Sequence, residues 1–139
     1  MTTTVISLKG RIHQYGPHLD RAPAGLVYVG RQMSGVRAGG WDLPAHPLHN
    51  PYTLSRYGTP EAAVAAYIRH FLDRPDLLDQ AAVLRGKTLA CWCAPELCHA
   101  HVIAWWADGL TREQIAQRAD DLTTAAASVE KHLFDRLTD

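Results

Sequence analysis

The chain has 139 residues, enough for one globular domain with a buried core and too few for two. Fourteen Lys and Arg balance fourteen Asp and Glu, which removes the overall basic field that drives non-specific nucleic-acid binding and leaves only a local patch open. The start, MTTTVISLKG, lacks the apolar stretch of a signal peptide, and no apolar run approaches the roughly 20 residues of a membrane span, so a cytoplasmic protein without membrane attachment is expected.

In chain order, residues 4–8 form a short β-branched segment, and Leu26-Val27-Tyr28-Val29 before Gly30 reads as a buried strand with a stop. A polar connection with Pro17 and Pro23 separates them. Residues 30–58 hold Gly35, Gly39, Gly40, Pro44, Pro47 and Pro51 with almost no periodicity, which predicts a long loop region, or a surface excursion hiding one short strand. Its Arg31, Trp41, Asn50 and Tyr52 suit contact with a ligand. Thr59-Pro60-Glu61 then opens a helix with a capping hydroxyl, a first-turn proline and an early acid, and Val64, Tyr67, Ile68 and Phe71 supply its apolar stripe. A second helix runs from Pro75 through Leu84 to a cap at Gly86, and residues 87–93 follow as a strand. This alternation predicts a single α/β domain: a small parallel or mixed sheet of three to five strands flanked by helices, with ligands collected where strands end and helices begin.

All three cysteines lie between Cys91 and Cys98, a clustering that random placement would give on the order of 1% of the time. In a reducing compartment such a trio points away from structural disulfides and toward metal or thiol chemistry. Strand periodicity puts Cys91 and Cys93 on one face and Trp92 on the other. The chain then turns through Ala94-Pro95-Glu96-Leu97, and Cys98, His99 and His101 fall at a helix start, where unpaired N–H groups favour a thiolate. Cys98 is therefore the expected reactive thiol. Three readings compete. Cys91, Cys93 and Cys98 with His99 or His101 could ligate zinc, or the three thiolates an iron–sulfur cluster, although C-x-C-x4-C matches neither standard ferredoxin spacing. Without metal, Cys98 or Cys93 could be a nucleophile with His99 or His101 as its base. Alternatively the cysteines are small buried residues and the histidine a helix cap.

The run L-R-G-K-T-L-A-C-W-C-A-P-E-L-C-H-A-H-V-I resembles the signature of an uncharacterised family of small bacterial and phage proteins, domain of unknown function 4326. Upstream, residues 5–11 resemble that family's opening strand, Val27-Tyr28-Val29-Gly30-Arg31 its Y-I-G-R element, and Asn50-Pro51-Tyr52 its G-N-P-F or A-N-P-F element. The resemblance spans about residues 5–109 and implies that Arg31, Asn50, Cys91, Cys93, Cys98 and His99 belong to one site, with no activity attached. One position departs: the family pattern reads C-H-x-D where this chain has His101. A more distant likeness to another uncharacterised group, with C-H-R at a helix start, supports the α/β placement alone.

Other residues have plainer readings beside the functional ones. Trp105 and Trp106 on an apolar helix face fit core packing better than a base-stacking platform, and His46 and His49 lack a helix to align them as a metal pair. Past Gly109, Thr111 and Gln114 form a capping box, and Ile115, Ala119, Leu122, Ala126, Val129, Leu133 and Leu137 make one amphipathic stripe. The chain thus divides into an α/β domain with the Cys/His site, residues 1–109, and a helical extension, residues 110–139, that folds back or pairs with a second copy as a homodimer. The functional expectation is binding or processing of a nucleotide-like or other anionic small molecule, with Arg31, Asn50, Tyr52 and Trp41 as ligand contacts. Cys98, His99 and His101 would do the chemistry, and Cys91, Cys93, Cys98 and His99 would hold a metal. Two alternatives stand beside it: a zinc-braced, non-catalytic module for nucleic acid or protein, and a metal-free ligand-binding domain.

Overall fold

The computed structural model describes residues 2–138, with side chains described for residues 2–128. Its sheet has three strands, β1 (Thr4–Ser7), β2 (Leu26–Tyr28) and β3 (Thr88–Cys91), in the order β1-β3-β2 with both pairings parallel. The last strand in sequence is central, so it is covered on both faces and reads as the unbroken apolar run Leu89-Ala90-Cys91. It ends two residues before the expected boundary at Cys93. Cys91 pairs with Ser7 and Ala90 with Tyr28, the last residues of the two neighbouring strands, so Trp92 and Cys93 have no strand to pair with.

Between the strands lie α1 (Ile12–Tyr15), α2 (Leu54–Tyr57), α3 (Pro60–Leu72) and α4 (Pro75–Ala82); α5 (His99–Ala107) and α6 (Arg112–Thr138) follow. The long helix α3 forms for the reasons its sequence gives: Thr59 Oγ1 accepts the Ala62 N–H at 3.1 Å, Pro60 takes the first turn, and Val64, Tyr67, Ile68 and Phe71 are buried. The single turns α1 and α2, and a 3-10 turn at Val36–Ala38, are too short to carry a periodic signal. Within residues 30–58 the only β pairing among the described residues is an isolated bridge, Met33 to Leu43.

Strand alternation divides the interior. Leu89 and Cys91 face the main core with Val29, Leu48 and the apolar sides of α3, α4 and α5, whereas Ala90 faces a second cluster with Leu8, Tyr15, Tyr28, Trp41 and Leu43. Trp92 packs against that second cluster, opposite to Cys91 as periodicity requires. The extension is part of the main core: Ile115 and Ala119 are buried in it, and α6 lies along α3. The Thr111 and Gln114 capping box is present in both directions, Thr111 N–H to Gln114 Oε1 at 2.8 Å and Gln114 N–H to Thr111 Oγ1 at 3.1 Å. Val129, Leu133 and Leu137 of the expected stripe lie outside the described side chains. Trp106 packs edge-on to Phe71 and donates to Leu78 O, and Trp105 lies under the Arg118 guanidinium, both in packing roles. No described helix is long and apolar enough to cross a membrane.

Candidate functional site

All three strands end on one edge, at Ser7, Tyr28 and Cys91, and the loops leaving that edge carry Lys9, Arg31 and the cysteine segment. In a parallel sheet this carboxyl edge is where a crevice opens. A cavity of about 320 Å³ lies there, lined by Gly30, Arg31, Asn50, Tyr52, Trp92 and the three cysteines among others.

The β2 end is shaped by its tyrosine. The Tyr28 hydroxyl reaches back over the chain to donate to Arg31 O at 2.6 Å, and a Cβ on Gly30 would come within 2.4 Å of that hydroxyl, so position 30 has no room for a side chain. Trp92 Nε1 donates to the same hydroxyl at 2.9 Å, which ties the cysteine loop to the arginine loop. Arg31 Nε in turn donates to Asn50 O at 3.0 Å, and Asn50 Oδ1 accepts the Tyr52 N–H at 2.8 Å in a local turn. Among the described residues no carboxylate lies within ion-pair distance of Arg31, so its charge faces the cavity mouth uncompensated. Tyr52 stacks edge-on against Tyr57 and His70 at the rim.

The thiols converge from two elements. Cys91 closes β3, Cys98 is the N-cap of α5, and their sulfurs are 3.2 Å apart in the core; Cys93, between them, is exposed. The Cys98 thiol shares a hydrogen with Cys91 across that contact. It holds Cys91 down at about 6 and Cys93 down at about 7, in each case against the effect of burial. The neighbouring thiols, together with burial, push the Cys98 thiol above the ordinary range. The thiol expected to react, Cys98, is thus a buried one. The helix start is real, but Cys98 at its N-cap is buried, which leaves Cys93 as the accessible thiol.

The histidines are held by backbone. His99 is buried, and its Nε2–H donates to Val29 O at 2.7 Å, binding α5 to the end of β2 while the ring rests edge-on against Tyr67. Burial pushes its pKa down to about 4, so it is neutral at physiological pH. His101 Nδ1 accepts the Cys98 N–H at 3.1 Å, the return half of a capping box, and burial lowers its pKa as well. The glutamine or glutamate of the usual box is replaced by an imidazole, which accounts for a histidine at this position in this chain. Among the described residues no group of three or more His, Cys, Asp or Glu side chains is arranged to hold a metal ion. The expected set Cys91, Cys93, Cys98 and His99 is therefore not assembled as a ligand sphere among the described residues. Trp41 is likewise corrected: it is buried in the second cluster, edge-on to Trp92 at 5.5 Å, and supports the cysteine loop from behind instead of lining the cavity. Sequence reasoning missed Tyr28 as the organising residue, and the nearby Gly30 was the only local signal for it. His46 and His49 serve their own loop, through His46 Nδ1 to the Leu48 N–H and His49 Nδ1–H to His46 O.

Fold and site together define a small α/β protein with a thiol-lined pocket at the carboxyl edge of a three-stranded parallel sheet. The chain belongs to the family described as domain of unknown function (DUF4326), which it matches over residues 13–109. The match takes in the whole pocket and leaves β1 and α6 outside. The chain is also similar to the uncharacterized protein R718 of Acanthamoeba polyphaga mimivirus, with 37% identity over 67 residues, 48% of each chain. It thus spans about half the length of that relative. No solved structure matches the chain.

Proposed function

We propose that the chain binds a small anionic molecule, nucleotide-like in carrying a flat apolar body beside its charge, in the pocket at the sheet edge. The observation that carries this reading is Arg31: an arginine fork without a carboxylate partner, fixed by Asn50 O at the mouth of a largely apolar cavity. The volume, about 320 Å³, is at the small end of ligand pockets and suits one compact molecule. Tyr52 at the rim would cover the body of the ligand, and Cys93 would present a thiol to it. Lys9 adds positive potential, since its charge reaches Cys91 and Cys93. The zinc-braced module is the weaker reading, because it needs a closed four-ligand set that the described side chains do not form.

Thermal denaturation with adenosine monophosphate, nicotinate and inorganic phosphate tests the proposal, with an Arg31→Ala variant alongside. A binder raises the melting temperature in a concentration-dependent way, by RT ln(1 + [L]/Kd) in stability, and the variant loses most of that rise. If none of the three shifts the melting temperature, or if the variant responds as the parent does, anion binding at Arg31 is wrong.

A further inference from the structure

Three thiols on one cavity, one exposed and two buried and in contact, are more than a pocket lining needs. Two of them touch, the Cys98 sulfur lying 3.2 Å from that of Cys91, and Cys93 lines the same cavity. A disulfide needs about 2.05 Å between sulfurs, so Cys91 and Cys98 have only about 1.2 Å to close. Cys91 and Cys98 show only a small part of their surface to the cavity, whereas Cys93 is exposed and meets an oxidant first. We infer that Cys91, Cys93 and Cys98 form a thiol relay that takes low-molecular-weight disulfides as substrate at Cys93 and stores the oxidation as a buried Cys91 to Cys98 disulfide. This rests on the thiol geometry and not on the anion reading.

The exchange balances. The Cys93 thiolate attacks one sulfur of the small disulfide, RSSR, forming a mixed disulfide with RS and releasing RS⁻. Cys98 gives its proton to that thiolate and attacks the Cys93 sulfur, expelling the second RS⁻ and joining Cys93 to Cys98. The Cys91 thiolate then attacks the Cys98 sulfur and expels Cys93 as a thiolate. The Cys91 proton, already in solvent, neutralises the second RS⁻. Overall two protein thiols are oxidised by two electrons, one RSSR becomes two RSH, and Cys93 is regenerated.

The full chain would be incubated with glutathione disulfide without oxygen, quenched with acid, alkylated and mapped by mass spectrometry. The relay predicts one alkylated thiol, at Cys93, a Cys91 to Cys98 disulfide, and no retained glutathione. Cys98→Ser, which keeps an N-cap residue, traps glutathione on Cys93; Cys91→Ser stops at a Cys93 to Cys98 disulfide; and Cys93→Ser slows oxidation by at least about tenfold. The anion titrations read melting temperature and this mapping reads disulfides, so the two proposals fail separately. The relay is overturned if the parent keeps its glutathione adduct, ends at Cys93 and Cys98, or does not react. Oxidation of Cys93→Ser at the parent rate would overturn it as well.

Discussion

A methyl group at position 30 would collide with the Tyr28 hydroxyl, and that hydroxyl joins Trp92 Nε1 on one side to Arg31 O on the other. Gly30→Ala must therefore displace the tyrosine and break two hydrogen bonds, one of which connects the ends of β2 and β3. A loss of about 1–3 kcal/mol in urea denaturation is expected, with weaker anion binding, while Tyr28→Phe reproduces the effect without the steric change. An alanine variant as stable as the parent would mean that the loop, not the glycine, makes room. His99 gives a second prediction at this scale. Its pKa is about 4 in the fold and 6.5 as an ordinary histidine, so the unfolded chain binds the proton more readily. Above pH 6.5 both forms are neutral and the contribution is intact; as pH falls from about 6.5 toward 4, stability declines by roughly 3 kcal/mol in total. His46 and His101, also lowered by burial, add in the same direction. Melting temperatures recorded between pH 7.5 and 4.5 should fall, and His99→Gln should flatten that slope. An equally steep slope in the variant would place the titration elsewhere.

At the level of elements, what could be read from sequence follows the length of the signal. Helix α3 has three and a half turns of stripe plus a hydroxyl cap, and α6 has its capping box and repeating seam, so both were legible. The strand β3 was legible in place but not in length, because its end is set by where β1 and β2 stop, a fact of pairing and not of composition. Trp41 looked like a ligand contact for the same reason: an aromatic residue in a glycine-rich loop carries no periodicity to tell which side it packs on. The role of α6 is open to test. Ile115 is fully buried in the same core as Ile68 and Phe71, on a helix outside the family match. Ile115→Ala should cost about 2–4 kcal/mol in chemical denaturation, a large fraction of the stability of a domain this size. A cost below about 0.5 kcal/mol would make the extension a surface appendage.

Across the whole molecule, the pocket is where four sequence segments meet: the glycine and arginine after β2, the asparagine turn, the first turns of α3, and the cysteine loop after β3. The sequence named most of its residues through their chemistry, but burial ranked them differently, since Cys98 and His99 sit in the main core and Cys93 does not. That arrangement predicts how the thiols become reactive as the protein unfolds. Cys91 lies on the central strand and Cys98 caps a helix packed on α4, so exposing either requires the core to open, and the core is shared by every helix from α3 to α6. With iodoacetamide in native buffer one thiol, Cys93, should react. In a urea series the other two should become reactive in step with the loss of helical circular dichroism, because a single shared core unfolds in one transition. Reaction of Cys98 at low urea with the helical signal intact would instead mean that residues 94–98 open on their own. In that case the pocket wall would move independently of the sheet, and the thiol relay would work by local opening and not by contact.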